Sequence, residues 1–457
     1  MAECSLTFAL PSAEHYPPQS SLKPPMASER AGGASLAEDE LAHLPAHLRE
    51  RASLVEEVIE EPPHPFIYRT FMDEGTRHVV EEYIRKKGAL RGKGLSLEAL
   101  ERLLDVRTVD KALVERLAER FGSGDLKAVG VDAGTNHLNL EIAHIPLCCA
   151  VAALCSSFSV IDYIPEVMDR IPLWDDELFP EMRTLVISYK LQFKLVVKAI
   201  KRWEPDLVLF DGPFLYSQLY RRGGRPYMRD FERTVEAGIR ALDFCVGQGI
   251  PVVGFVKRPE GRSVAKKLVK KKIIKKPVRD IVALKWLRYG AYTGPFRYTS
   301  RMEAAEAEKK GENRLVGSIM AEFYFKKASE IGVDEEVVSI IFTYLNTGYR
   351  FPYKIEVPEP FAKELDEIVA LMFALRATRG LPFPIYAADS LTKVSNTTRD
   401  LFLLSLRARL AEEVAKGRLS EEDVDMFLPR HGETYGLSEE GFERLARPTS
   451  YGRGRGL

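Results

Sequence analysis

An apolar run that stops on an aspartate flanked by glycines, VGVDAGTN at 129–136, constrains this 457-residue chain more than any other segment. A strand buried on both faces reads as an unbroken apolar stretch, so a carboxylate at its end stands at a sheet edge. Asp132 ends one such run, and Asp211 ends a second, LVLFDGPFL at 207–215. Two buried strands that each finish in an Asp-small step predict carboxylates converging on one edge, where they could hold Mg²⁺ or Mn²⁺ against a phosphate. An Asp-Gly step is also a common turn, and for either aspartate alone that reading is as good.

Formal net charge is zero, from 66 basic and 66 acidic side chains, so affinity for nucleic acid must arise from local clustering. Such a cluster occupies 257–279, KRPEGRSVAKKLVKKKIIKKPVR, with eleven Lys or Arg against the single acid Glu260. A solvated helix normally intersperses both signs, so the run predicts phosphate binding, with Arg258, Lys266, Lys267, Lys270, Lys271 and Lys272 as candidate contacts. The aromatic stretch that follows, WLRYGAYTGPFRY at 286–298, fits base stacking and core packing equally.

Five cysteines (Cys4, Cys148, Cys149, Cys155, Cys245) form no CxxC pair and have no accompanying histidine spacing, which excludes a zinc-finger or disulfide-framework reading. They read as small buried hydrophobes in a reducing compartment. The N-terminus carries Glu3 and no basic stretch, against a signal peptide, and the expected location is cytoplasmic. One uncharged run of 17 residues, 145–161, is marginal for a membrane span; with the alternating HLNLEIAHI before it, the reading is two buried antiparallel strands. Four Gln and five Asn beside 29% charged residues suggest a thermophilic source.

Residues 1–45, rich in Pro, Ser and Ala, read as a disordered tail. Helical patterns fill 46–122, among them GTRHVVEEYIRKK, SLEALERLLD and VDKALVERLAERF. From 123 to 420 the order is a strand (127–132), two strands (137–161), a helix (181–202), a strand (206–211), a helix (229–248) and the strand PVVGFV (251–256). After the basic segment come a charged helix (301–310), strands at AEFYFKK and YRFPYKIEVPEP, and a helix (361–378), with a C-terminal tail from 421. Antiparallel strands followed by alternating helix and strand predict an α/β fold, a mixed sheet flanked by helices of ribonuclease H-like architecture. The N-terminal helical region and the basic segment are additions to that core.

A third carboxylate comes from LPFPIYAADSLTKVS, where a Pro-rich approach delivers Asp389 near what reads as a helix start. Alone it is a helix cap. With Asp132, Asp211 and the basic run it completes a candidate metal-dependent nuclease site, in which two cations activate water and stabilise the leaving 3′ oxygen. A competing reading takes VDAGTN as the first phosphate loop of an actin or sugar-kinase ATPase. It lacks a convincing second loop, since FDGPF is a poor one, and no adenosine segment stands out. RHGET at 430–434 matches a phosphoglycerate mutase-like signature, but only 26 residues follow His431, too few for that domain.

From about 127 to 415 the chain resembles the NurA family of archaeal DNA-end-processing nucleases. The resemblance rests on VGVDAG, on LQF before DLVLFDGPFL, and on GFVKRP, YKIEVP and PFPIYAADSLTKVS in that order. It implies a Mn²⁺-dependent 5′ to 3′ exonuclease, with Mg²⁺ as an alternative, often with single-strand endonuclease activity. It further implies a homodimer that acts on DNA in double-strand-break resection beside a hexameric HerA translocase. By it Asp132, Asp211 and Asp389 are metal ligands and Lys257 is a candidate to neutralise the scissile phosphate. Lys257 equally reads as one more surface lysine of the basic run.

Two positions depart from the family. Gln192 stands where a metal-binding glutamate is expected; an amide can coordinate through oxygen but brings no charge, so one metal should bind more weakly. Leu381 stands where a tyrosine is expected. Glu181, on the same helix as Gln192, could substitute as a ligand, and it equally fits an acid at a helix N-terminus. The sequence therefore admits an active nuclease or a catalytically weak family member that binds DNA or docks a translocase.

Overall fold

The computed structural model describes residues 75–90, 97–140, 143–168, 170–174, 179–216, 224–312, 314–349 and 351–427. The expected tail 1–45, the start of the helical region and the RHGET segment lie outside the described residues. The chain divides into two units, residues 1–88 and 89–457. In the first, the described residues belong almost entirely to helix α1 (Thr76–Leu90).

The second unit opens with α2 (Leu97–Leu103), β1 (Arg107–Thr108) and α3 (Lys111–Ser123), the last capped by the Asp110 carboxylate on two backbone N–H groups. An antiparallel meander follows: β2 (Ala128–Asn139), β3 (His144–Ser156) and β4 (Ser159–Val167). Helix α4 (Pro180–Trp203) then returns the chain so that β5 (Leu207–Asp211) lies parallel to β2. Helix α5 (Arg225–Gln248) does the same for β6 (Val252–Val256) beside β5. The spatial order β4-β3-β2-β5-β6 is the mixed core expected of a ribonuclease H-like fold.

Beyond β6 the chain forms α6 (Ser263–Lys270), α7 (Asp280–Ala283), β7 (Ala291–Tyr292), β8 (Phe296–Thr299), α8 (Arg301–Lys309) and β9 (Leu315–Gly317). Helices α9 (Ile319–Ile331) and α10 (Glu335–Val338) lead to β10 (Ile340–Leu345) and β11 (Tyr353–Pro358). β11 pairs antiparallel with β6 and β10 with β11, widening the sheet on the side away from the meander. Helices α11 (Leu365–Ala374), α12 (Phe383–Leu391), α13 (Asn396–Ala415) and α14 (Glu421–Phe427) complete the described chain.

Side-chain alternation along the central strands divides the core into two layers. Val129, Val131, Val208 and Phe210 pack with α4 and α5. Ala128, Leu207, Leu209, Val253 and Phe255 face the other way, into a layer with α3, α11 and α12. Both faces of β2 and β5 are therefore covered, which is why these strands read as unbroken apolar runs.

Three expectations are corrected. AEFYFKK is helical, within α9: its aromatic content suggests a strand, but Ser318 caps the N-terminus and Gly332 closes the C-terminus in a left-handed conformation. The two antiparallel strands expected over 137–161 are present as the end of β2 and as β3, but the apolar run 145–161 extends past β3. Ser157 and Phe158, at φ 51° and 52°, break it into a tight hairpin, and β4 beyond is an exposed edge strand. Asp389 lies in the last turn of α12 and not at a helix start, because the helix begins directly after Pro382. Strand β10, fully buried, had no counterpart in the sequence reading. In 286–298, Tyr292 and Phe296 are core residues, whereas Tyr289 is exposed.

Helix α12 sits closer to β2 than ordinary packing permits. A Cβ on Gly130 would stand 1.9 Å from the Pro384 carbonyl oxygen, and one on Gly134 would stand 1.7 Å from the Thr392 carbonyl oxygen. Both glycines lie two residues from Asp132 and so share its face of the strand. Gly130→Ala is expected to destabilise the protein by about 3 kcal/mol through overpacking against backbone that has no slack. Gly122→Ala, where a Cβ meets nothing within 4 Å, should stabilise α3 by about 0.5 kcal/mol. Denaturant unfolding of both variants checks the contrast.

Candidate metal centre

Asp211 ends β5, and Asp132 follows Val131, the last residue of β2 paired along β5. The parallel register sets Val131 opposite Phe210, so the two aspartates are neighbours where β5 stops, although β2, expected to end at Asp132, runs on along β3 to Asn139. Both point toward the α12 layer, and α12, held close by Gly130 and Gly134, adds Asp389. Carboxylate oxygens of Asp132, Asp211 and Asp389 all lie within 4.8 Å of one another. Three hard oxygen donors at that separation suit Mg²⁺ or Mn²⁺ and offer nothing to a metal that prefers sulfur or imidazole.

Lys257, the residue after β6, reaches into this cluster. Its Nζ is 2.7 Å from Asp211 Oδ2 and 2.7 Å from Asp389 Oδ1. An acid in the last turn of a helix is opposed by the helix dipole, and the Lys257 ammonium offsets that at Asp389. Burial works against the charge on Lys257, but Asp211 and then Asp389 outweigh it and raise its pKa above the usual lysine value. Burial, and next the Asp211 charge, push Asp132 up to about 8. Asp211 is raised as well, mainly by burial, with Lys257 opposing. The Thr392 hydroxyl lies 3.2 Å from Asp132 Oδ2, a further fixed polar neighbour.

The turn that follows Asp211 is tied down from behind. Phe214 N–H donates to Glu356 Oε2 at 2.7 Å, and Tyr324 Oη donates to the Phe214 carbonyl at 2.8 Å. Glu356 is fully buried and pairs with Lys354, whose Nζ also donates to Tyr298 Oη at 2.5 Å. Removing one member of such a pair strands the other charge, at a cost of about 3–5 kcal/mol. The sequence reading had no signal for Glu356, Lys354, Tyr324 or Thr392. A charged pair two apart in an otherwise apolar strand, YKIEVP, was the available hint.

Other candidates are placed apart from the cluster or put to other uses. Gln192 lies on α4, on the opposite layer of the sheet from the aspartate side chains, 4% exposed, and its Oε1 has no hydrogen-bond partner among the described residues. Glu181 is exposed and adjoins His144, whose pKa burial lowers to about 4 with a smaller opposing contribution from Glu181. Leu381 packs against the α11–α12 layer. In the basic segment, Val264, Ala265 and Leu268 of α6 are buried, and buried Asp280 accepts the Ser263 and Ala265 N–H groups and the Tyr344 hydroxyl. Lys267 Nζ donates to the Leu315 carbonyl at 2.8 Å, and Lys270 pairs with Glu308 at 2.7 Å. Arg258, Lys266, Lys271 and Lys272 are exposed. Cys148, Cys149, Cys155 and Cys245 are free thiols. Among the described residues no helix is long and apolar enough to cross a membrane.

The family model of the NurA domain matches residues 175–394, a span that contains Gln192, Asp211, Lys257 and Asp389 and begins after Asp132. No curated protein matches the chain. Among solved structures, the NurA nuclease from Sulfolobus solfataricus superposes with a TM-score of 0.46 at 12% identity, covering 77% of this chain and 98% of that one. The catalytic domain of human endonuclease V gives 0.30 at 13% identity, over 73% of this chain and 98% of that one. A structure of NurA bound to dAMP and manganese gives 0.31 at 12% identity, over 72% of this chain and 92% of that one. Across residues 175–394, this chain carries a NurA domain.

Proposed function

We propose that this chain is a divalent-metal-dependent DNA nuclease. The observation that carries the proposal is the meeting of three carboxylates, from β2, β5 and α12, at one sheet edge of a chain with a NurA domain. Cations held there, Mn²⁺ or Mg²⁺ and two in number, would activate a water and stabilise the departing 3′ oxygen of an in-line displacement. The chain supplies the positioning. Asp132 is anchored within β2 and Asp211 at the end of β5, and the Asp211 turn is fixed by Glu356 and Tyr324. Lys257, already among these oxygens, is placed to neutralise a phosphate. Exposed Arg258, Lys266, Lys271 and Lys272 would carry the flanking backbone phosphates, with Lys267 and Lys270 joining them only on leaving their present partners.

By family likeness the proposal extends to 5′ to 3′ exonuclease action with single-strand endonuclease activity. It includes a role in end resection, as a cytoplasmic homodimer beside a HerA-type translocase.

One observation favours a second reading, a DNA-binding subunit with weak chemistry: Gln192 is neutral and buried where the family has a glutamate. Cleavage of 5′- and 3′-labelled linear DNA with Mn²⁺, Mg²⁺ or EDTA separates the two. An active enzyme releases labelled product only with metal, and Asp132→Asn and Asp211→Asn each lower the rate by at least about 100-fold, the upper end of what loss of an outer-shell partner costs. Their DNA affinity should persist. Silence from the wild type with activity in Gln192→Glu would establish the second reading, and equal rates in wild type and both Asn variants would remove the site assignment.

The acidity of Asp132 sets a pH dependence. With a pKa of about 8 in the metal-free protein, it is protonated at neutral pH, and a cation must displace that proton. Mn²⁺ affinity is therefore expected to rise with pH, by up to about tenfold per unit, and to level off above about pH 8. The sign for stability is opposite in the absence of metal: a carboxyl raised on folding stabilises when protonated, so that contribution is lost as pH climbs from the ordinary carboxylate range through 8. Titration calorimetry with Mn²⁺ at pH 6, 7, 8 and 9 reads the first effect, and a pH-independent affinity would contradict it.

A further inference from the structure

A cavity of about 400 Å³ adjoins the carboxylate cluster without being part of it. Its wall includes Pro213, two residues beyond Asp211, and Val256 and Arg258, the residues on either side of Lys257. Successive side chains of an extended segment point to opposite sides, so Val256 and Arg258 line the cavity on the side of β6 away from Lys257 and the carboxylates it pairs with. We propose that this cavity receives an unpaired nucleobase of the DNA strand whose neighbouring phosphate lies on the carboxylate cluster. The proposal rests on the nuclease reading and deepens it by naming the substrate class: a single-stranded or frayed segment.

Two features of the cavity match a base. Its size is that of a small-ligand pocket, and it cannot admit a duplex. One wall is aromatic: the Tyr189 and Tyr216 rings stack at 4.5 Å with 25° between their planes, and Tyr298 lines the cavity as well. Bases stack on such surfaces whatever their identity, which suits an enzyme that must accept any sequence. Arg258, exposed at the rim, meets the backbone that enters with the base.

A duplex base reaches such a cavity only after leaving its stack, at a cost of a few kcal/mol. The cavity thus discriminates by pairing and not by sequence. This gives Leu185, on the rim and 37% exposed, a use as a probe, because a larger side chain there fills the opening without entering the core.

The test is binding in EDTA, where cleavage does not interfere, with an abasic site walked through a short single-stranded oligonucleotide. For the wild type, one position is expected to weaken binding about tenfold, within the range measured for loss of one stacked base. In Leu185→Trp that sensitivity should vanish, with affinity for the intact strand already about tenfold lower and affinity for blunt duplex and for Mn²⁺ unchanged. Leu185→Phe, a smaller addition at the same rim position, should give an intermediate loss and covers the case in which the tryptophan variant is unstable. A wild type equally indifferent to every abasic position, or a Leu185→Trp variant with single-strand and duplex binding reduced alike, would overturn the proposal. Metal-dependent cleavage measured on the same preparation reports separately on the nuclease reading, so a failed cavity and a failed active site give different results.

Discussion

The approach of α12 to β2 is the contact on which the site depends, because it brings the third carboxylate to a sheet edge that already holds two. With any side chain at residue 130 or 134 the helix backbone would have to retreat, since a Cβ would fall within 2 Å of a carbonyl oxygen at either position. Gly-x-Asp-x-Gly is thus one device: the aspartate supplies the chemistry, and the glycines on its face let a second element reach it. Asp389 and Thr392 arrive together on the same stretch of chain, one and the other side of Asp132.

Concentrating acids in this way carries an electrostatic cost that the surroundings meet in two ways. Lys257 bridges Asp211 and Asp389, and Asp132 retains its proton to an unusually high pH. Both compensations would give way if a divalent cation supplied the positive charge, as the proposed function requires. Behind it, the buried Lys354–Glu356 pair spends its hydrogen bonds on Tyr298 and on the turn after Asp211. Buried charge of this kind contributes little net stability, and its role here is to fix a loop.

The parts legible in the sequence were those governed by local rules. Continuous apolar runs located β2, β5 and β6, and helical periodicity located α3, α4 and α5, because both faces of the strands and one face of each helix are buried. What failed was decided by single residues or by distant partners. Ser157 and Phe158 turn the apolar run at a point where no glycine or proline stands to announce the turn. The caps at Ser318 and Gly332 decide for a helix where aromatic content suggests a strand. At the site, Asp132 and Asp211 were visible because each ends an apolar run, although β2 itself continues to Asn139, and Asp389 was visible as a residue but misplaced within its helix. Glu356 and Tyr324 act through partners 142 and 110 residues away, and no window of sequence carries that information.

The central claim is that these three aspartates form a cation site that Lys257 occupies electrostatically when no metal is bound. Anomalous diffraction from crystals soaked in Mn²⁺ tests it directly. The account requires a manganese peak about 2.2 Å from oxygens of Asp132 and Asp211, with the Lys257 ammonium moved off Asp211. Manganese absent from this cluster, or bound elsewhere while Lys257 keeps both of its ion pairs, would contradict it.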